Sequence, residues 1–147
     1  MRIINFLTLL VAVTLSAGAL CADSGTRDEA KAMAEKAVAH FKEVGAASAF
    51  ADFMKPEWKD RDLYVVAIKT DGMMQANGGV PATVGRNNLA LRDVDGKLMT
   101  QEMVAVKDAA WVEYKWKNPV SNVVEKKATY VIRASDDLII GVGAFYK

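Results

Sequence analysis

The chain has 147 residues, a formal net charge of +1 and a single cysteine. This length is sufficient for one domain with an ordinary hydrophobic core. The balanced charge, with no basic stripe, excludes the electrostatic surface that nucleic-acid binding requires. Because one cysteine cannot form an intramolecular disulfide, we expect the core alone to stabilise the fold.

Residues 1–22 have the pattern of a bacterial secretory signal peptide. Arg2 supplies the positive start, an apolar stretch covers residues 3–15, and small residues occupy 16–19. The apolar stretch is too short for a convincing membrane-spanning helix. We therefore expect these residues to be removed during export.

The small residues offer two cleavage positions, after Ala19 or after Ala22. A lipid anchor on Cys21 is disfavoured because Leu20 stands where such a signal needs a small residue. Removal of residues 1–22 leaves 18 basic and 18 acidic residues. The expected product is one domain of residues 23–147, located in a bacterial periplasm or secreted.

Two helices are predicted at the start of this domain. Thr26 and Glu29 have the spacing of a capping box, and Gly45 is a suitable residue to end the helix at 28–44. A shorter helix should cover residues 46–54. Apolar residues repeat at helical spacing in the first of them: Ala30, Met33, Ala34, Ala37, Val38 and Phe41.

After residue 60 the pattern changes to that of strands, with an Asp71-Gly72 turn. Residues 82–97 read as loop and 98–106 as a short helix. Because the last three strands are joined by short links, they must be antiparallel. We predict an α+β domain, a PAS-like five-stranded antiparallel sheet with a long N-terminal helix on one face. The predicted strands are 62–70, 73–77, 110–117, 125–133 and 138–146.

The densest aromatic stretch lies in the third of these strands, at Trp111, Tyr114 and Trp116. With a period of two, Tyr114 and Trp116 share one face with Val112, and Trp111 lies on the other. Tyr and Trp combine apolar rings with polar tips. The strand is therefore either a heavily packed core strand or the wall of a small-molecule pocket.

The order of these segments resembles the single Cache domain of the second type, in a soluble, secreted, stand-alone form. The resemblance covers about residues 28–147, and each segment that carries it is short. The segments are Arg61–Val65, Asp71–Gly72, Val84–Asn87, Asp93–Lys97, Trp111–Trp116, Lys127–Val131 and Ile140–Tyr146.

The resemblance implies a sensing, chemotaxis-related module that holds a small organic ligand, often a short carboxylate, between the sheet and a covering segment. Because no apolar span follows Tyr146, we expect a membrane receptor or kinase to be the partner. An alternative is an accessory protein that has a vestigial pocket and presents a surface to a membrane receptor. Asn77 stands where relatives often carry histidine, which changes the expected ligand chemistry.

Lys127 is the first candidate to anchor a carboxylate, and Arg86 in the covering loop is the second. A solvated lysine beside Lys126 is the alternative interpretation for Lys127. The period of two also places Lys127 and Tyr130 on opposite faces of the sheet. Both residues could therefore contact one ligand only if the strand had a bulge or if the ligand lay at the end of the strand. The complete predicted ligand site is Tyr64, Asn77, Arg86, Trp111, Tyr114, Trp116, Lys127 and Tyr130.

No residue pattern indicates catalysis. His40 is the only histidine, so common zinc sites and a Ser-His-Asp triad are not expected. Residues 91–102 partly match a calcium-binding loop, but Leu91 replaces its first carboxylate. We therefore expect a binding module, not an enzyme, with no metal and no cofactor.

Overall fold

The computed structural model describes residues 24–147, so the predicted signal peptide and Cys21 lie outside the described residues. Helix α1 (Arg27–Val44) begins at Thr26 with the predicted capping box, in which Thr26 and Glu29 bond each other's backbone N–H. Gly45 has a φ of +81° and separates α1 from α2 (Ala46–Phe53). A positive φ is inexpensive only for glycine, which explains why α1 ends and α2 begins at this residue.

The sheet contains every strand that the sequence predicts, together with one more of two residues. The strands are β1 (Lys59–Asp60), β2 (Leu63–Lys69), β3 (Met74–Asn77), β4 (Ala109–Lys117), β5 (Val124–Ser135) and β6 (Leu138–Tyr146). Their order in the sheet is β1-β2-β6-β5-β4, and β3 also pairs with β2, always antiparallel. The α+β, PAS-like prediction is therefore confirmed, with six strands instead of five.

One face of the sheet, the helix face, packs against α1 and α2. Alanines on α1 allow the helix to approach the strands closely, and Phe53 of α2 is fully buried beside them. Trp111 and Tyr130 lie on this face, with ring centroids 5.0 Å apart. The Arg27 guanidinium of α1 lies 5.3 Å from the Trp111 ring centroid.

The opposite face, the cavity face, is covered by α3 (Met99–Ala105) and the loop before it. Main-chain bonds fix this loop to the first residue of β3: the Met74 N–H donates to the Arg86 carbonyl and the Gly85 N–H to the Met74 carbonyl. Apolar side chains of the sheet and of the cover pack together between them, including Ile68 of β2 and Met103 of α3. Within residues 24–147 no helix is long and apolar enough to cross a membrane.

The turn in the suggested calcium loop is built from backbone hydrogen bonds. The Asp93 carboxylate accepts the N–H groups of Asp95, Lys97 and Lys115. These bonds hold the pKa of Asp93 below its usual value, the Lys115 bond being the largest cause. Residues 93–97 therefore form a turn that is tied to β4.

Candidate ligand-binding site

A cavity of about 40 Å³ lies between the cavity face and its cover. A water molecule needs at least about 10–15 Å³, so this volume is suited to a small molecule. Four predicted site residues line the cavity: Tyr64, Asn77, Tyr114 and Trp116. The other lining residues are Val66, Ile68, Met74, Thr83, Asn88, Leu91, Met99, Thr100 and Met103.

Lys127 is buried behind one end of this cavity, with only 2 % of its surface exposed. Its Nζ donates a hydrogen bond of 2.7 Å to the Tyr64 hydroxyl and lies 3.9 Å from the centroid of the Tyr64 ring. The Phe145 ring closes the other side at 4.5 Å. Tyr64 lines the cavity and Lys127 does not, so the lysine reaches the cavity only through the tyrosine.

Gly143 makes room for this lysine. A Cβ atom at Gly143 would lie 2.2 Å from Cε of Lys127 and 2.4 Å from Oγ1 of Thr129. Gly143 of β6 pairs with Thr129 of β5, so the lysine crosses β6 at a position without a side chain. The absence of a side chain at Gly143 therefore serves the candidate site.

The surroundings of Lys127 favour its uncharged form. Burial lowers its pKa to about 7, and the smaller attraction of Asp62 acts in the opposite direction. Asp62 is itself buried and accepts hydrogen bonds from the Gly25 N–H and the Asn118 amide. Among residues 24–147 Lys127 forms no salt bridge. A buried ammonium without a salt-bridge partner is costly, which is why the neutral amine is favoured and why this position is a candidate functional site.

The two tyrosines at this end are neutral hydrogen-bonding groups. Burial raises the pKa of Tyr114 to about 12 and raises the pKa of Tyr64 still further above its ordinary value. The Tyr114 hydroxyl is 2.9 Å from Oγ1 of Thr129, and the Trp116 ring meets the Tyr114 ring edge-on at 6.3 Å. Since the Tyr64 oxygen accepts a hydrogen bond from Lys127, the Tyr64 hydroxyl can donate its own hydrogen bond to a ligand.

Asn77 organises the cover over this end of the cavity. Its Oδ1 accepts the N–H groups of Gly79 and Val80, and its Nδ2 donates to Oγ1 of Thr83. Gly79 lies so close to the Tyr64 ring that a Cβ there would come within 2.3 Å of it. Asn77 thus lines the cavity, but its polar groups hold the loop that closes it.

Three predicted site residues lie away from this cavity. Trp111 and Tyr130 point to the helix face, as the period of two required, and no bulge brings Tyr130 beside Lys127. Arg86 is exposed on the covering loop, where its carbonyl accepts the Met74 N–H. The structure therefore brings together Tyr64, Asn77, Tyr114, Trp116 and, behind Tyr64, Lys127.

Sequence reasoning missed the cavity residues that the cover supplies, among them Thr83, Asn88 and Thr100. Their only sequence signal was their position in a loop and short helix that the resemblance described as a covering segment. A loop has no periodicity that would indicate which side chains face inward.

The antiparallel sheet, the long N-terminal helix and the covered cavity define a PAS-like domain. The chain belongs to the single Cache domain 2 family, whose model matches residues 10–147. This family assignment confirms the resemblance inferred from the sequence. No curated protein matches the chain.

Solved structures of chemotaxis proteins share this fold. A methyl-accepting chemotaxis protein from Vibrio parahaemolyticus is 20% identical, with a TM-score of 0.68 over 80% of this chain and 86% of that chain. A Cache chemosensory domain described for carboxylic acid recognition is 20% identical, with a TM-score of 0.70 over 82% and 92%. A periplasmic sensor domain of a chemotaxis protein has a TM-score of 0.64 at 20% identity, over 82% and 90%. At these identities the likeness shows the fold alone.

Proposed function

We propose that the protein is a sensor-type binding module that holds a small organic acid in this cavity as its carboxylate. The observation that carries the proposal is Lys127, a buried amine without a salt-bridge partner among residues 24–147. A carboxylate at the Tyr64 hydroxyl would supply the missing negative charge. The protein would bind this acid without converting it.

The hydrogen bond between Lys127 and Tyr64 defines how the acid is held. The ammonium donates to the phenol oxygen at 2.7 Å, and the phenol proton is then directed to the ligand. A hydrogen bond to a charged group contributes about 1.5–3 kcal/mol, which corresponds to about ten- to a hundredfold in affinity. The Trp116 and Tyr114 rings would cover the carbon chain of the acid, and the cavity of about 40 Å³ favours a short chain.

Two observations support a proposal for the biological setting, the signal-peptide pattern of the sequence and one similar structure. Residues 1–22 have the pattern of a signal peptide, and one similar structure is a periplasmic sensor domain. We therefore propose that the domain acts in the periplasm or outside the cell and reports occupancy to a membrane receptor or kinase. A mass measurement on periplasmic extract would detect a chain that starts after Ala19 or Ala22.

The test of binding is a thermal-shift screen of short organic acids, followed by calorimetry with each acid that raises the melting temperature. We expect Lys127→Met to weaken binding by about ten- to a hundredfold while the fold survives, because the variant keeps the apolar stem and removes the charge. Lys126→Met is the matched control, since Lys126 is adjacent and exposed. It should bind like the wild type.

Two results would count against the proposal. Equal affinity in wild type and Lys127→Met would remove Lys127 as the source of the charge. No melting shift and no heat with any acid would favour the accessory-protein alternative, in which the pocket is vestigial.

A further inference from the structure

Asn88 contributes an unpaired hydrogen-bond donor to the cavity. It belongs to the covering loop, has 6 % of its surface exposed and lines the cavity wall. Its Nδ2 is the only buried side-chain nitrogen or oxygen in residues 24–147 that has no hydrogen-bond partner. Buried polar groups in native proteins almost always have a partner, so this exception requires an explanation.

The backbone around Asn88 is fixed. Its N–H donates to the Gly72 carbonyl at 2.9 Å, and its carbonyl accepts the Leu91 N–H at 3.0 Å. The preceding Asn87 forms an isolated bridge with Met73. The Asn88 side-chain amide therefore has a defined position, and its unpaired N–H group is part of the cavity wall.

Asn88 and Tyr64 line the same cavity from two different elements, the covering loop and β2. The Asn88 N–H bonds Gly72 in the turn before β3, and Met74 of β3 pairs with Ile68 of β2. Ile68 is four residues beyond Tyr64 on the same face of the strand, a distance of about 13 Å between Cα atoms. These pairings place Asn88 towards the Ile68 side of the cavity, whose wall also includes apolar residues such as Met99 and Met103.

We propose that the cavity selects short acids that carry a second, uncharged hydrogen-bond acceptor, the oxo- or hydroxy-carboxylates, and that Asn88 recognises this acceptor. The proposal rests on the binding function proposed above. A carbonyl or hydroxyl oxygen would satisfy the Asn88 donor, whereas a plain alkyl chain would leave it unpaired. Because the cavity wall contains no Lys or Arg, a second carboxylate would be desolvated without a cation, and dicarboxylates are disfavoured.

The experiment compares acids of equal length that differ only in the acceptor. The probes are propanoate with 2-oxopropanoate, butanoate with 3-oxobutanoate, and pentanoate with 4-oxopentanoate; butanedioate tests the second charge. Calorimetry on the wild type should show, for at least one pair, an affinity about tenfold higher for the oxo acid. Butanedioate should bind more weakly than butanoate. The preferred pair would also report the distance between the two polar ends.

Asn88→Leu should abolish this preference while the alkanoate still binds, and it should raise the melting temperature of the ligand-free protein. Both effects have one cause, because leucine removes an unpaired polar group from an apolar wall. Asn87→Leu is the matched control. Asn87 is exposed, donates to the Asp71 carbonyl and accepts the Leu89 N–H, so its loss should lower the melting temperature and keep the preference.

If Asn88→Leu does not fold, Asn88→Ala removes the same donor with less bulk and should also abolish the preference. Retention of the oxo-acid preference in the folded variant would overturn the role of Asn88. Equal binding within every pair by the wild type would overturn the ligand class and leave carboxylate binding intact. A wild type that binds none of these acids would overturn both proposals.

Discussion

The buried amine of Lys127 should give the protein an unusual dependence of stability on pH. Its pKa is lowered from 10.5 to about 7 in the folded state, with burial as the largest cause. Between these values the unfolded chain holds a proton that the folded chain has lost. The free energy of unfolding should therefore rise as the pH is raised from about 7 towards 10. Below pH 7 the lysine is charged in both states and adds no further dependence.

The magnitude follows from the size of the shift. Each pH unit within the window can contribute up to about 1.4 kcal/mol, so the interval from pH 7 to 9 corresponds to about 2–3 kcal/mol. Tyr64 and Tyr114 act in the opposite direction, because their raised pKa values keep them protonated when unfolded tyrosines ionise. That loss begins only near pH 10, where unfolded tyrosine titrates, so measurements below pH 9.5 isolate the lysine.

The assay is urea unfolding of the ligand-free protein at several values between pH 6.5 and 9.5. The wild type and Lys126→Met should both gain stability across this range, since Lys126 is exposed, and Lys127→Met should lack this gain. Subtracting the unfolding free energy of one protein from that of another at each pH removes the contribution of the titrating groups that they share. Parallel curves for wild type and Lys127→Met, within about 0.5 kcal/mol, would refute the buried, uncharged lysine.

Two other predictions concern the same lysine. A bound carboxylate should restore the charge of Lys127, so the affinity for the acid should fall as the pH rises above about 7. Calorimetry in buffers of different ionisation enthalpy should then detect proton uptake on binding. An affinity that stays constant from pH 6.5 to 9 would contradict this prediction. Gly143→Ala places a Cβ 2.2 Å from Cε of Lys127 and should cost about 1–3 kcal/mol of unfolding free energy. Urea unfolding measures this cost, and an unchanged midpoint would show that the lysine does not cross Gly143.

The period of the strands correctly separated the aromatic residues into two groups. Trp111 points to the helix face, and Tyr114 and Trp116 point to the cavity. The same alternation kept Lys127 and Tyr130 apart, although the resemblance suggested using both. Strand periodicity was reliable here because a shift of one residue would expose a whole apolar face.

The parts of the site that could not be predicted depend on tertiary contacts. Asn88 and Arg86 lie two residues apart in one loop, yet one is buried in the cavity wall and the other is exposed. Their difference comes from main-chain bonds between this loop and residues 72–74, which have no local sequence signature. Strand β1 was missed for a related reason, since two residues are too few to show a period.

The central position of β6 in the sheet has a consequence for how a ligand could enter. This strand lies between β2 and β5, and it is buried on both faces from Leu138 to Phe145. Separating it from its neighbours would disrupt the helix face and the cavity face together, at a cost near that of global unfolding. The covering loop is bonded instead to β3 and to the edge strand β4, so the cover can open by breaking those bonds while β6 stays paired. We therefore expect access to the cavity to need only a local opening, whereas the amide protons of β6 should exchange on complete unfolding.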